Sequence, residues 1–514
     1  MNEADNSRIA KNTLFLYFRM FLIMAVQFYA SRVVLQQLGI SDYGLYNVVG
    51  GLVALFGFVN ASMTVTTQRY LNFHLESDNS LRLRQIFATC IHIHLLISLL
   101  LVVLAETAGL WYLREKMVIP AGREQAAFWV YQLSILSTVV SIMTFPYIAD
   151  IIAREKMSAF AYISIIEALL KLLIVFLLSL AVIDRLVFYA ILAALVQIIV
   201  CACYKGYANR HFPESRYHRC HDGALFREML SFAGWNLWGN TAAVFNGQGL
   251  NLLLNFFFGP AVNAARAVTV QVQSLLMQFA NNFQTALNPQ ITKNYASGRL
   301  DDMHALVFRS AKFTYLLLLL LCLPLLMETP FLLDFWLDEV PRYTAVFVRL
   351  MIMTTLIDAT ANPFMVSAAA TGRVKVYQSV VGGTLLLVLP LSWLALRTGA
   401  APWAVYAVHL AVSAVAYVVR LLIVRPLIQL PVGAFVSRVI LRCALVTAVA
   451  LVLPLLLHCT LPVGSLWTSL LTIVLSALSA AGSAYLVGLT AGEKGFVWGK
   501  LQEITKRRNG PVQR

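Results

Sequence analysis

Seven basic side chains stand inside or at the edges of long apolar runs: Arg19, Arg32, Lys171, Arg266, Arg309, Lys312 and Arg349. In hydrocarbon an ionised arginine near a helix centre costs about 2.5–3.5 kcal/mol, so each needs a partner, a route to the headgroups or a hydrated cavity. Arg19, in NTLFLYFRMFLIMAV, and Arg266 each admit two readings. Either the side chain snorkels to the membrane surface, or it faces a cavity and holds an anion there. For Arg32, Arg309 and Lys312, close to the ends of their runs, snorkelling is enough; Arg349, deeper in its run, admits both readings. Glu167 and Lys171 are spaced i,i+4, share a helix face and can neutralise one another. Asp358, in TTLIDATANPF, can pair with an arginine or bind a coupling proton or sodium ion. Asp358, Glu167 and Lys171 are therefore the candidates for ion coupling.

Uncharged amides form a second pattern. At 100° per residue, Asn236, Asn240, Gln248, Asn251 and Asn255 fall within an arc of about 120° on one helix. Gln271, Ser274, Gln278, Asn281, Asn282, Thr285 and Asn288 do the same on the next. Interhelical hydrogen bonds, worth about 0.6 kcal/mol each, account for two or three such residues. So many on two adjacent helices point to a water-filled cavity. Amides both donate and accept, which suits a hydroxyl-rich ligand, and Trp235, Trp238, Phe245 and Phe283 could stack on sugar rings. Asn236, Asn240, Asn251, Gln278, Asn281 and Asn282 are the candidate sugar contacts.

The elements that must position these residues are membrane helices. Of the 514 residues, 60% are hydrophobic and 12% charged, against roughly 25% charged in a soluble chain, and the mean hydropathy is +0.75. With about 20 apolar residues per crossing, fourteen spans are expected, at 12–37, 43–66, 85–112, 126–151, 158–182, 186–206, 229–257, 262–290, 306–327, 343–368, 374–397, 402–424, 436–458 and 465–490. The fold class is thus all-α integral membrane protein. Pro289, Pro324 and Pro363 are expected to kink spans. The first apolar run is too long for a signal peptide and is read as a retained span.

Charge then orients the chain. With the N-terminus inside, 26 Lys and Arg fall on the inner side and six on the outer side, which places both termini in the cytoplasm. The net charge of +15 is therefore mostly orientation, and no nucleic-acid partner is expected. The seven cysteines form no CxxC and no paired framework, so neither a disulfide scaffold nor a metal site is expected. A GxxxxGK[ST] phosphate loop is absent and no loop could fold into an ATPase or catalytic domain, so an ATP-driven pump and an enzyme are both disfavoured. No cofactor is expected.

An internal repeat sets the organisation. Gly39, in VVLQQLGISDYG, matches Gly259, in LLLNFFFGPAVN, and FVNASMT (58–64) matches FANNFQT (279–285). Six spans separate the copies, so the halves share one orientation, related by a pseudo-two-fold along the membrane normal. The expected domains are a six-helix bundle over 1–206, a basic linker over 207–228, a second six-helix bundle over 229–424, two extra spans over 425–490 and a basic tail over 491–514.

Fourteen spans, the six-plus-six repeat and the run SRVVLQQLGISDYGLYNVVGG (31–51) resemble the bacterial polysaccharide repeat-unit flippases. These belong to the multidrug/oligosaccharidyl-lipid/polysaccharide exporter superfamily, with the lipid II flippases and the multidrug extruders. The likeness is strongest over residues 9–75 and architectural elsewhere. It implies alternating-access transfer of an undecaprenyl-diphosphate-linked oligosaccharide between leaflets of the bacterial inner membrane, for O-antigen, capsule or exopolysaccharide synthesis. It also implies cavity cations that meet the diphosphate, for which Arg19 and Arg266, then Arg32 and Arg69, are the candidates. Membrane lipids and the polysaccharide polymerase machinery are the implied partners. A cation-coupled multidrug extruder and a lipid II flippase are the alternatives.

Overall fold

The computed structural model describes residues 3–56, 67, 70–71, 80–154, 156–181, 183–216, 222–371, 373–460, 465–491 and 493–494; within helices, the side chains of 3–21 and 231–244 are among those left undescribed. The principal helices are α1 (Glu3–Phe56), α2 (Ser80–Leu104), α3 (Glu124–Ala153), α4 (Met157–Leu178), α5 (Arg185–His211), α6 (Gly223–Phe258), α7 (Pro260–Ala296) and α8 (Leu300–Met327). They continue as α9 (Thr329–Trp336), α10 (Thr344–Thr360), α11 (Asn362–Ala370), α12 (Val374–Leu386), α13 (Val388–Arg397), α14 (Ala404–Ile428), α15 (Leu441–Thr460) and α16 (Leu466–Ser483). No strand occurs among the described residues. An all-α membrane fold is what lipid demands, because a helix satisfies its own backbone groups where water is absent.

Among the described residues, eleven helical segments are long and apolar enough to cross a membrane. One of them, Leu22–Leu55, carries the first two expected spans on α1, whose helical geometry is interrupted at Gly39. The seventh and eighth expected spans, on α6 and α7, are not among the eleven although the helices run for 36 and 37 residues. Both helices are rich in amides. Apart from 57–66, which lie outside the described residues, the expected spans fall largely on described helices, and the amide-rich pair stands apart.

The chain divides into two compact units. The first comprises residues 1–268, 336–344 and 385–405. Its core holds Leu45, Val48, Val49 and Val53 from α1, Ile86, Cys90 and Ile93 from α2, and Ala127, Val130 and Tyr131 from α3. The opposite edge of α2 turns Leu95, Leu99 and Leu100 outward, as lipid contact requires. The second unit comprises 269–335, 345–384 and 406–514. In it α15 and α16 pack on α8 through Leu316, Leu319, Leu323, Val446, Ala450 and Ala480. Pro363, at the start of α11, separates α10 from α11, whereas Pro324 lies inside the continuous α8. Pro289 falls within α7, but its side chain is outside the described residues.

The two glycines matched in sequence have matching backbones. Gly39 adopts φ 77, ψ 166 and Gly259 adopts φ 75, ψ −178, a region essentially restricted to glycine. No neighbour crowds a Cβ at Gly39, so the demand there is conformational. Each glycine lets one span end and the next begin without a loop. The matched run 58–64 lies outside the described residues. Five residues after Gly39, a Cβ on Gly44 would overlap the Pro260 carbonyl oxygen. Only a glycine lets the second half of α1 approach the start of α7 so closely.

This arrangement makes a measurable demand. Gly39→Ala and Gly259→Ala should each destabilise the purified protein by about 1–3 kcal/mol. Gly50→Ala, in regular helix with nothing within 4 Å of the new Cβ, should be neutral or slightly stabilising. Thermal unfolding in detergent measures all three, and wild-type stability in Gly39→Ala would refute the conformational argument.

Candidate functional site

The polar residues were expected to serve one cavity, but those whose side chains are described do two kinds of work. In the first unit, the second half of α1, the end of α6 and the start of α7 meet through a chain of amides. Asn251 donates from Nδ2 to the Asn47 carbonyl at 3.1 Å. Asn263 donates from Nδ2 to both the backbone oxygen and Oδ1 of Asn251, each at 2.7 Å. Asn255 brackets Val118, accepting from its N–H at 3.0 Å and donating to its carbonyl at 3.2 Å. All three asparagines are buried. Gly51 makes room for the group, since a Cβ there would lie 2.5 Å from Asn251 Nδ2 and 2.6 Å from Gln248 Oε1.

Arg266 belongs to the same junction. It is buried and donates to the Gly247 carbonyl of α6 at 2.5 Å. A carbonyl dipole offsets part of the cost of an arginine in this setting. On the remainder of α7, Ser274, Gln278 and Asn281 are exposed, spaced three or four residues apart on one helix face. Gln284, by contrast, is buried, and its Nε2 donates to the Ala359 carbonyl at 2.6 Å. That carbonyl precedes the break between α10 and α11. Arg19, Asn236, Asn240 and Asn282 lie on described helices, but their side chains are outside the described residues, and Arg69 lies outside them altogether.

Of the remaining charged candidates, all but Arg309 meet a partner. Arg32 meets Asp338 at 2.6 Å, beside Trp336, whose indole donates to the Phe28 carbonyl at 2.9 Å. Lys171 and Glu167 meet at 2.6 Å on α4. Asp358 lies 3.3 Å from Arg420 and accepts from Ser413 Oγ at 3.2 Å. Arg349 donates to the Leu326 carbonyl at 3.3 Å, while Arg309 is exposed. Lys312, buried within α8, meets Glu493 at 2.6 Å.

Several of these partners are not evident from sequence. Arg420 counts among the inner headgroup cations by position, yet only 12% of its side chain is exposed and it faces Asp358. Glu493 lies far from Lys312 in the chain; the local signal it gives is a Thr490-x-x-Glu493 capping box, closed by the Thr490 amide to Glu493 Oε2 at 2.8 Å. Burial disfavours the Glu493 carboxylate, but Lys312 and the Thr490 groups outweigh it and hold the pKa below the ordinary value. A third residue, Arg123, hydrogen-bonds both Asp42 and Asp184 and so ties three inter-span connections of the first unit. Burial likewise opposes the Asp184 charge, and Arg123 with the amides of Val187 and Leu186 outweighs it, leaving the pKa lowered. Among the described residues no group of His, Cys, Asp or Glu could hold a metal ion.

No family model and no curated protein matches the chain in sequence. Solved structures do share its fold. The lipid II flippase MurJ, in an inward closed conformation, has a TM-score of 0.70 at 14% identity, over 92% of this chain and 98% of that one. An inward-facing multidrug resistance MATE family transporter of the MOP superfamily has a TM-score of 0.62 at 11% identity, over 80% and 97%. The MATE multidrug transporter DinF-BH has a TM-score of 0.59 at 13% identity, over 82% and 96%. The fold is that of the MurJ and MATE proteins, which are flippases and transporters.

The two classes of amide should separate by mutation. Asn255→Leu strands the Val118 N–H and carbonyl and should cost about 1–3 kcal/mol of stability. Gln278→Leu, on an exposed face, should leave unfolding unchanged. Unfolding of the two purified variants side by side checks this; equal losses would contradict the division.

Proposed function

We propose that this protein is a flippase for an undecaprenyl-diphosphate-linked oligosaccharide repeat unit. It carries the unit from the cytoplasmic to the periplasmic leaflet of the inner membrane by alternating access, for surface polysaccharide synthesis. Both termini are cytoplasmic in this reading. The observation that carries it is the amide-rich helix pair: α6 and α7 have the length of membrane spans and each carries a stripe of amides, and α7 bears an exposed amide face. Amides and cations can replace the hydration of sugars and diphosphate while the polyprenyl tail stays in hydrocarbon. Arg19 and Arg266 are assigned to the diphosphate, with Arg32 and Arg69 in support. Asn236, Asn240, Gln278, Asn281 and Asn282 are assigned to the sugars, and Asn251 holds their helices in register.

The runner-up within the fold is lipid II transport, favoured by the MurJ likeness, which extends over 92% of the chain against 80% for the MATE transporter. That difference is about sixty residues, enough for two further spans such as α15 and α16. A drug extruder is less well supported. An organic cation would call for an uncommitted carboxylate, and Glu167 and Asp358 each already face a basic partner.

Deleting the gene should cause lipid-linked repeat units to accumulate in the inner leaflet, and Arg19→Ala should abolish surface polysaccharide while expression stays normal. Unaltered polymer in Arg19→Ala would remove Arg19 from the site. Rescue of a strain depleted of its lipid II flippase would shift the assignment to the runner-up.

A further inference from the structure

From Ala359 to Gly492 the chain contains no acidic residue, yet it carries Arg373, Lys375, Arg397, Arg420, Arg425, Arg438 and Arg442. Arg420 is neutralised by Asp358, and Arg397 lies over the Trp393 ring. The other five form no ion pair with a described carboxylate. All five lie at span ends that the positive-inside rule assigns to the cytoplasm. An anion from outside the protein can supply their counter-charge.

At one of them the structure provides a cavity. A space of about 510 Å³ is lined by Leu422, Arg425, Pro426, Gln429 and Leu430, at the end of α14. Its rim is fixed by the way the helix stops. The Leu430 amide closes on the Arg425 carbonyl at 3.1 Å and Gln429 takes φ 54, the hydrogen bond and left-handed residue of a Schellman ending. His304 of α8 pins the Ile428 carbonyl, three residues on, at 2.8 Å. Pro426 has no N–H, so the Leu422 carbonyl lacks its helical donor. The residues lining the cavity thus bring a guanidinium, a carboxamide and, at Leu422, a carbonyl without its helical donor. Leu422, 58% exposed, continues it onto the lipid-facing side of the helix.

We propose that this cavity binds the head of an anionic phosphoglycerol lipid of the cytoplasmic leaflet. Arg425 takes the phosphate, a glycerol hydroxyl donates to the Leu422 carbonyl, and an acyl chain lies along Leu422. Basic pockets at this level of a membrane protein are suited to such headgroups, and the hydroxyl requirement sets phosphoglycerol apart from a bare phosphate. The site is independent of the cargo and would hold one lipid against the second unit.

Native mass spectrometry of the purified full-length protein with added phosphatidylglycerol, phosphatidic acid or phosphatidylcholine tests this. Wild type should retain phosphatidylglycerol over phosphatidylcholine. Arg425→Ala should bind it at least about fivefold more weakly, while Arg373→Ala, an exposed cation with no cavity, should bind as wild type. Pro426→Ala restores the helical donor to Leu422, so it should fold well and lose the preference for phosphatidylglycerol over phosphatidic acid. Equal losses in Arg425→Ala and Arg373→Ala would reduce the effect to diffuse surface charge and overturn the site. So would undiminished phosphatidylglycerol binding in both Arg425→Ala and Pro426→Ala. Loss of undecaprenyl diphosphate binding in Arg425→Ala, with phosphatidylglycerol binding intact, would assign the cavity to the cargo instead and also overturn the proposal.

Discussion

Inside a bilayer no water is available to complete a polar group, so every donor, acceptor and charge must find its partner in the protein. The rest of this structure follows from that constraint. Breaks in the helices occur where a side chain or glycine can absorb them: Gln284 takes the Ala359 carbonyl before the α10–α11 break, and two glycines turn the chain without a loop. Arginines on the membrane helices end on carbonyls or carboxylates, as Arg266 on Gly247 and Arg420 on Asp358. Breaking one such pair by removing a single partner leaves an uncompensated buried group, which is far more damaging than replacing both.

The same constraint gives the exposed amides their meaning. A polar residue that fastens helices is buried and hydrogen-bonded to another segment, as Asn251, Asn255 and Asn263 are. Ser274, Gln278 and Asn281 are exposed on α7, where water or a cargo that replaces it can reach them. A flippase needs both kinds in one helix pair, because a rigid frame must hold a hydrated surface in place. The charged ties of the first unit, including Arg123 with Asp42 and Asp184, serve that rigidity.

Helix placement was legible in the sequence because hydropathy over twenty residues is a local property. So was the equivalence of Gly39 and Gly259, since a backbone outside the reach of other residues leaves a glycine behind in each repeat. The Glu167–Lys171 pair was legible through its i,i+4 spacing. The division of labour among amides was not, because the stripe pattern is the same for a fastener and a cavity wall; only burial separates Asn255 from Gln278. Nor were the partners Asp338, Arg420 and Glu493, each of which reaches its counter-charge across a long stretch of chain. Counting Arg420 by its distance from a span end missed that Asp358, within the membrane helix α10, faces it.

The central claim is that the polar helix pair serves the passage of a lipid-linked diphosphate sugar. The most direct measurement reconstitutes the purified protein into liposomes with a labelled undecaprenyl-diphosphate oligosaccharide and follows how much of it becomes accessible to an external glycosidase. Protein-containing liposomes should expose nearly all of the lipid, whereas protein-free liposomes should leave about half protected. Protection unchanged by the protein would contradict the account.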